Sequence, residues 1–211
     1  MDQMLRKEEY EARHAALDAL SVVAEGTRSF LKHFIDDVIA KIVPFCRDPD
    51  PRVRFALLQT FGTLMTDFSV GNCDDDSEAL VLRFHTQICG VIDVSLNDPC
   101  ARVRCHALSC TINLLEELQE HQEILILYQD GLLAKLAEAM ADSSDMRVQT
   151  MALTSITAMC ETLGDLAGQY YESFKQPMLL ILTHARDAAF VKLRSEALRA
   201  LACLVVEYVA Q

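Results

Sequence analysis

Apolar residues recur along most of this chain three or four positions apart, which is the spacing of an α-helix that buries one face. Phe34, Val38, Ile42 and Phe45 form one such stripe. No stretch alternates steadily between apolar and polar residues, and seven Gly and five Pro are too few for the turns of an all-β protein. The pattern predicts an all-α fold, with partner helices at roughly 29–47, 77–97, 121–141 and 168–187.

A repeat runs along the chain. Five segments place an apolar residue before Arg, or before Gln in the fourth segment, and a small or apolar anchor residue three positions after it. The anchors lie 41, 50, 45 and 45 residues apart, and they are Ala16, Leu57, Ala107, Ala152 and Ala197. Two helices of about 18 residues joined by short turns fit that spacing, which is typical of a HEAT-repeat α-solenoid, an α-α superhelix.

About four and a half such repeats are expected to form a single solenoid segment over residues 1–211. The first repeat lacks its leading helix, and an insertion at 71–77 that contains Asp74, Asp75 and Asp76 lengthens the second interval. Turn and capping residues precede each second helix, as expected at these positions. The predicted repeats are approximately 1–28, 29–70, 77–120, 121–165 and 166–211.

Aspartate and arginine recur with the repeat. Aspartate precedes arginine by six residues in two repeats, and looser pairs follow at Asp142 with Gln149 and Asp187 with Arg194. Such residues pair well between stacked helices. We interpret them as a structural ladder rather than as a binding site: Asp48, Arg54, Asp98, Arg104 and Arg194.

Charge narrows the choice of partners. The net charge of −12 repels phosphate backbones and anionic lipid surfaces, so it argues against nucleic acid and favours basic proteins. The longest apolar runs, such as 178–182, are too short to cross a membrane, and no membrane insertion is expected.

Catalytic and metal chemistry find no support in the sequence. The six His are dispersed, and no phosphate-binding loop or nucleophile motif occurs, so no enzyme activity and no cofactor are predicted. Cys100, Cys105 and Cys110 recur every five residues, which turns each by about 140° on a helix and prevents convergence on one zinc ion. We expect all eight Cys to be free thiols in a reducing compartment.

Four motifs resemble one family of helical-repeat receptors. The run Ala12-Arg13-His14-Ala15-Ala16-Leu17, continuing to Ala24-Glu25-Gly26, resembles a helix of the importin-beta (karyopherin-beta) nuclear transport receptors. Residues 48–56 with 65–68, residues 107–117 and residues 170–177 resemble the importin beta-3 type in the same order. The similarity covers roughly residues 9–205, and the acidic insertion and Gln149 depart from it. Because members of this family are several times longer than 211 residues, the chain resembles a central fragment of such a receptor.

The resemblance implies a receptor that carries basic cargo proteins with nuclear localisation signals through the nuclear pore. It implies release of cargo by the GTP-bound Ran GTPase, contact with phenylalanine-glycine nucleoporins, and shuttling between cytoplasm and nucleus. The repeats that usually bind Ran have no counterpart in this stretch. A HEAT-repeat scaffold subunit of a phosphatase or chromosome-associated complex is the alternative, and an enzyme built on helical repeats is a more distant one.

An acidic residue follows every anchor by nine or ten positions, in the last turns of the second helix, where the helix dipole disfavours negative charge. This helix lines the concave face of a solenoid, so we expect an acidic ladder for Lys and Arg of an extended cargo, with Asn113 binding the cargo backbone. A merely solvated acidic face is the alternative. The candidate residues are Glu25, Asp67, Asn113, Glu116, Glu117, Glu120 and Glu161.

Aromatic residues open a later helix. Tyr170, Tyr171 and Phe174 are expected to pack against the neighbouring repeat. An outer-face pocket for phenylalanine-glycine repeats is the other interpretation of these three residues.

Overall fold

The computed structural model describes residues 2–72 and 79–209, and within these ranges the chain forms helices and no strand. The prediction of an all-α fold is confirmed. The predicted acidic run Asp74, Asp75 and Asp76 lies outside the described residues. The α-helices are α1 Asp2–Leu5, α2 Tyr10–Leu31, α3 Ile35–Ile42, α4 Pro51–Asp67, α5 Leu80–Leu96, α6 Ala101–Glu117, α7 Gln122–Leu125, α8 Gln129–Ala141, α9 Met146–Leu163, α10 Tyr171–His184 and α11 Val191–Val209.

The partner helices are more broken than the apolar stripes suggest. The stretch predicted at 29–47 contains α3 between two 3-10 segments, Lys32–Phe34 and Val43–Arg47. The stretch at 121–141 divides into α7 and α8, and α10 is preceded by a 3-10 segment, Gly164–Tyr170. The apolar period is preserved across these breaks, and for that reason the pattern did not reveal them.

The chain consists of two compact units, Met1–Glu117 and Leu118–Gln211. In the first unit α2 packs on α4, α4 packs on α6, and α5 packs on α6. In the second unit α9 packs on both α8 and α11, and α10 packs on α11. A single solenoid segment over residues 1–211 stays a prediction.

The five anchor residues lie in the cores of these units. Each of them has at most 1% of its surface exposed. Four of the five are alanine, whose small side chain lets the backbones of adjacent helices approach closely. The repeat found in the sequence therefore marks the buried stripe of the second helix in each repeat.

Two of these second helices begin on an aspartate cap. Asp50 Oδ1 accepts the backbone N–H of Arg52 at 2.8 Å, and Asp145 Oδ1 accepts that of Arg147 at 2.8 Å. The arginine of each pair also binds the capping carboxylate through its guanidinium. These contacts satisfy backbone donors that the first turn of a helix leaves without intrahelical partners.

Asp–Arg pairs connect successive repeats in the first unit, and they involve the predicted ladder residues Asp48, Arg54 and Asp98 together with Arg13, which is not among the predicted ladder residues. Arg13 Nε and Nη2 donate to the two carboxylate oxygens of Asp48 at 2.6 and 3.0 Å. Arg54 binds Asp98 in the same way, at 2.5 and 2.9 Å. All four side chains are nearly buried, so each pair fixes the contact between two neighbouring repeats.

Two arginines of the ladder, Arg54 and Arg104, also hold the turn that precedes their own helix. Arg54 Nη1 donates to the carbonyl oxygens of Asp48 and Pro49, and Arg104 Nη1 donates to those of Asp98 and Pro99. Gln149, where the pattern lacks arginine, donates its side-chain amide to the carbonyl of Met140 at 2.9 Å. At this position the arginines donate to turn carbonyls, whereas Gln149 donates to a carbonyl in the last turn of the preceding helix, α8.

Candidate peptide-binding groove

The second helices α2, α4 and α6 form a groove of about 490 Å³ in the first unit. The three helices contribute mainly polar side chains to it, with Val22 as an exposed apolar exception. Three of the predicted site residues, Glu25, Asp67 and Asn113, line this groove together. The other lining residues are Ser21, Gln59, Gly62, Thr63, Thr66, His106, Ser109 and Cys110.

Asp67 carries the least compensated charge in the groove. It is the last residue of α4, where the helix dipole disfavours an anion, and its Oδ2 atom is buried without a hydrogen-bond partner among the described residues. Burial raises the pKa of this carboxyl above 3.8, and the nearby Glu25 carboxylate raises it further. Arg28 opposes this shift. A cation entering the groove would relieve both the repulsion and the missing contact.

Asn113 supplies a neutral polar group beside the two acids. Its amide nitrogen lies over Gly62, because a Cβ built on that glycine would be 3.5 Å from Asn113 Nδ2. The side chain is half-buried in the groove wall. An amide offers two donors and one acceptor oxygen, which suits a peptide backbone.

His106 forms an aromatic wall of the groove. Its ring lies 4.6 Å from that of Phe55, and the guanidinium of Arg102 stands 4.6 Å from the Phe55 ring centre. Burial and the charge of Arg102 lower the pKa of His106 below 6.5, so the ring is neutral near pH 7. His106 therefore adds no positive charge that would offset Glu25 and Asp67.

The remaining acidic candidates do not line this groove. Glu116 is exposed on α6, and Glu117 is the half-buried last residue of that helix. Glu120 is exposed in the turn that follows it and belongs to the second unit. Their role in binding stays a prediction.

Glu161 lies on α9 in the second unit and has a cation beside it. Its Oε1 atom is 3.7 Å from Arg199 Nη2, and both side chains are more than half exposed. Arg199 stands on α11, 38 residues further along the chain. The spacing of the acidic residues along the sequence did not indicate that a later repeat places the arginine Arg199 beside Glu161.

Sequence reasoning missed several polar residues of the groove. Gln59 and Ser109 stand two positions after their anchors, and Thr63 stands six after its anchor, as Asn113 does. These positions fall on one helix face. The register of the repeat could have identified them, since it had already located Asn113.

The aromatic residues near α10 make internal contacts. Tyr170 Oη donates to Asp130 Oδ1 at 2.8 Å, Tyr171 stacks on Tyr208 at 4.6 Å, and Phe174 is buried. A separate apolar cavity of about 460 Å³ in the second unit is lined by other residues, among them Pro177, Leu180 and Phe190.

The seven cysteines of the described residues are free, and Cys73 lies outside them. Burial raises the pKa of Cys110 to about 12, and its Sγ donates to the carbonyl of Leu58. Within residues 2–72 and 79–209, no group of three or more His, Cys, Asp or Glu could hold a metal ion, and no helix could span a membrane.

Comparison with known proteins agrees with this architecture. Residues 10–64 match the model of the HEAT-like repeat family. The chain is 30% identical over 181 residues to importin subunit beta-3 of Saccharomyces cerevisiae (strain ATCC 204508 / S288c). This alignment covers 85% of the chain. The resemblance to the importin-beta family is confirmed. The chain spans only 16% of the length of this relative.

Solved karyopherin structures share the fold as well as the sequence. The crystal structure of Kap121p is 26% identical, with a TM-score of 0.84 over 98% of this chain and 19% of that one. Kap121p bound to Nup53p is 25% identical, with a TM-score of 0.84, and the match covers 99% of this chain and 19% of that one. Kap121p bound to RanGTP is 26% identical, with a TM-score of 0.82, and the match covers 98% of this chain and 19% of that one. The HEAT-repeat α-solenoid predicted from the sequence is confirmed. These importin-beta relatives are karyopherins rather than enzymes.

Proposed function

We propose that this chain is a cargo-binding part of a nuclear transport receptor, and that its groove receives a basic, extended peptide segment such as a nuclear localisation signal. The observation that carries the proposal is the meeting of Glu25, Asp67 and Asn113 in one groove of the first unit. Two carboxylates attract lysine or arginine side chains, and the amide binds the peptide backbone between them.

Electrostatics favours this ligand over other classes. Asp67 has its pKa raised by burial and by Glu25, so bringing a cation close to it removes an existing cost. The net charge of −12 also accelerates the approach of basic segments and repels anionic ones. Neutral His106 leaves the groove acidic near pH 7.

The relatives support a transport role and suggest further partners. Kap121p has been crystallised with RanGTP and with Nup53p, and the chain matches about a fifth of its length. By that likeness we extend the proposal to Ran and to nucleoporins as partners of the receptor, with movement between cytoplasm and nucleus. We also propose that the chain acts by binding its partners and catalyses no reaction.

The test is a fluorescence-anisotropy titration of a labelled lysine-rich peptide against the wild type and the double variant Glu25→Gln, Asp67→Asn. Each partly desolvated ion pair contributes of the order of 1 kcal/mol, so we expect about a tenfold weaker affinity or more at low salt. A matched control, Asp37→Asn with Asp93→Asn, removes two exposed acids from α3 and α5 and leaves the groove intact. Equal affinity in all three proteins would reject the groove as the site.

The variant Asn113→Ala distinguishes the proposed hydrogen bond to the peptide backbone from the proposed ion pairs with Glu25 and Asp67. Loss of a neutral hydrogen bond lowers affinity at every salt concentration by a similar factor, whereas loss of the acids also flattens the salt dependence. A peptide with glutamine in place of each lysine is the ligand control, and its binding should be lost with the wild-type protein. Tight binding of this neutral peptide would contradict a charge-based groove.

A further inference from the structure

Arg102 on α6 is an arginine that the fold leaves without a carboxylate. Three second helices carry an arginine five positions before their anchors: Arg52, Arg102 and Arg147. In α4 and α9 this arginine binds the capping aspartate two residues earlier, Asp50 or Asp145. In α6 the earlier residue is Cys100, and within the part of the chain that the structure describes no carboxylate pairs with Arg102.

An aromatic ring holds the Arg102 guanidinium in place. The group lies over the ring of Phe55, 4.6 Å from its centre, as Arg52 lies over Tyr10 at 3.9 Å. A guanidinium that contacts a ring through its charge keeps its five N–H groups for hydrogen bonds. The residue is exposed, so a ligand can reach these donors. The positive charge of Arg102 is therefore positioned before any ligand arrives.

A cavity of about 230 Å³ opens beside Arg102, lined by residues of α2, α4 and α6. His14 lines it, and its Nδ1 atom is 3.1 Å from a carboxylate oxygen of Asp18. Arg52 lines it too and is bound by Asp50. Among the described lining residues, Arg102 is therefore the guanidinium to which a ligand would bring the missing carboxylate.

The face of α6 that carries Arg102 continues into the groove described above. Counted from Arg102, the groove residues of this face follow at intervals of four, three and four: His106, Ser109 and Asn113. These intervals place all four residues on one side of the helix. The His106 ring also contacts that of Phe55, which lines the cavity beside Arg102. A ligand in the groove can therefore extend along α6 to this arginine.

The helices α4 and α6 run side by side in the same direction. Near their starts the rings of Phe55 and His106 are 4.6 Å apart. Towards their ends, a Cβ built on Gly62 would lie 3.5 Å from Asn113 Nδ2. Both contacts join positions that differ by one when counted from the two anchors. Distances along one helix therefore apply to the pair.

The two ends of this shared face carry opposite charges. Asp67 follows its anchor on α4 by ten positions, and Arg102 precedes its anchor on α6 by five. Fifteen residues of helix span about 22 Å. About six or seven residues of extended peptide cover the same distance. A short peptide can therefore place a basic side chain at Asp67 and an acidic one at Arg102.

We propose that Arg102 binds the carboxylate of an acidic residue in the same peptide whose basic residue enters the groove at Asp67. This inference rests on the proposed function and adds a second, opposite charge to the ligand, about six residues from the first. A single unpaired guanidinium balances one carboxylate. A phosphate monoester, with a charge of about −2, would keep an excess negative charge in a protein that is already acidic.

Fluorescence anisotropy with the full chain tests this pairing. The probes are labelled lysine-rich peptides with one glutamate, or one glutamine in its place, about six positions before or after the lysines. In one of the two orders we expect the glutamate peptide to bind about fivefold more tightly at low salt, the effect of one exposed ion pair. A glutamate directly beside the lysines cannot reach Arg102 and should give no gain.

Two variants locate the gain from glutamate. Arg102→Gln should abolish it without weakening the binding of the glutamine peptide. Cys100→Asp retains the arginine but gives it the capping carboxylate that Asp50 gives to Arg52, so it should abolish the gain as well. Arg147→Gln changes the net charge equally in the second unit and, as the matched control, should retain the gain.

The outcomes separate this pairing from the proposed function. A glutamate that adds no affinity in either order, or a gain that Arg102→Gln or Cys100→Asp retains, would overturn the pairing alone, provided that binding still requires lysine. Peptides with glutamine in place of every lysine report that requirement. Binding that is unchanged by this replacement would overturn the proposed function and the pairing with it.

Discussion

At the residue scale, Asp67 shows a conflict between stability and binding. Its carboxylate stands at a helix C-terminus with one oxygen buried and unpartnered, and Glu25 repels it. Neither feature helps α4 or its packing. Such uncompensated groups are typical of ligand sites, where the partner supplies the missing contact.

We therefore expect Asp67→Asn to stabilise the fold near pH 7, by about 1 kcal/mol. The folded-state pKa of Asp67 lies above 3.8, so wild-type stability rises as pH falls through that pKa and the carboxyl becomes neutral. The advantage of the variant should thus vanish in acid. Urea unfolding at a pH of about 7 and at a pH of about 3, below the ordinary pKa of an aspartate, measures both parts. A variant less stable than wild type near pH 7 would contradict the stated cost.

Arg54, in contrast to Asp67, is a charged residue whose contacts stabilise the fold. Its bidentate pair with Asp98 is nearly buried, so Arg54→Gln should lower the free energy of unfolding by about 3 kcal/mol by leaving Asp98 buried and unpaired. Arg52→Gln is the matched control, because the Arg52 side chain is 60% exposed and should matter by less than about 0.5 kcal/mol. Denaturant unfolding measures the free energy of unfolding of both variants. Equal losses of that free energy in the two variants would mean that the Arg54–Asp98 pair does not hold the repeats together.

At the element scale, helix ends determine where each repeat turns. Asp50 and Asp145 begin α4 and α9 as side-chain caps, and Gly164 ends α9 with a φ of +53°. Among the described non-glycine residues none has a positive φ, so this turn depends on glycine. The 3-10 segment Gly164–Tyr170 begins at this glycine, whose backbone conformation L side chains rarely adopt.

Gly164→Ala should therefore destabilise the protein by about 1 to 2 kcal/mol, because alanine is strained at that backbone conformation. Gly90→Ala provides the contrast. Gly90 lies inside α5, a Cβ there meets nothing within 4 Å, and alanine should stabilise the helix by about 0.5 to 1 kcal/mol. Thermal unfolding should show a lower melting temperature for Gly164→Ala and a higher one for Gly90→Ala. Melting temperatures that shift in the same direction in both variants would refute the role of the positive φ.

At the scale of the whole molecule, charge acts on folding and binding in opposite directions. A net charge of −12 repels itself in the compact state and attracts basic ligands. The ladder pairs are nearly buried, whereas Glu25 is exposed. Salt should therefore screen the self-repulsion and the ligand attraction more than it weakens the ladder.

Raising the ionic strength from about 0.01 to about 0.15 M shortens the screening length from about 30 to about 8 Å. We expect the melting temperature to rise over this range while affinity for a lysine-rich peptide falls. Circular dichroism and fluorescence anisotropy in the same buffers measure the two. If both fell together, long-range repulsion would not be the main effect of the net charge.

Local patterns in the sequence were enough to predict the class of fold and the features that recur in every repeat. Anchors at a regular interval predict buried stripes, and at Ala16, Leu57 and Ala107 these stripes are buried as expected. Aspartate in a turn and arginine on the adjoining helix anticipate the contact Arg54–Asp98, whereas Arg13, which pairs with Asp48, is not among the predicted ladder residues. Local periodicity is sufficient for features that every repeat shares.

Which acidic residues lie side by side depends on how the helices pack. Glu25 and Asp67 share a groove because α2 packs on α4, whereas Glu161, at the same register as Glu25, faces Arg199 from a later helix. Likewise Gln149 replaces an arginine and donates to the last turn of α8 instead of to a turn carbonyl. Side-chain partners in space depend on helix packing and on how each helix ends, and a one-dimensional pattern records neither.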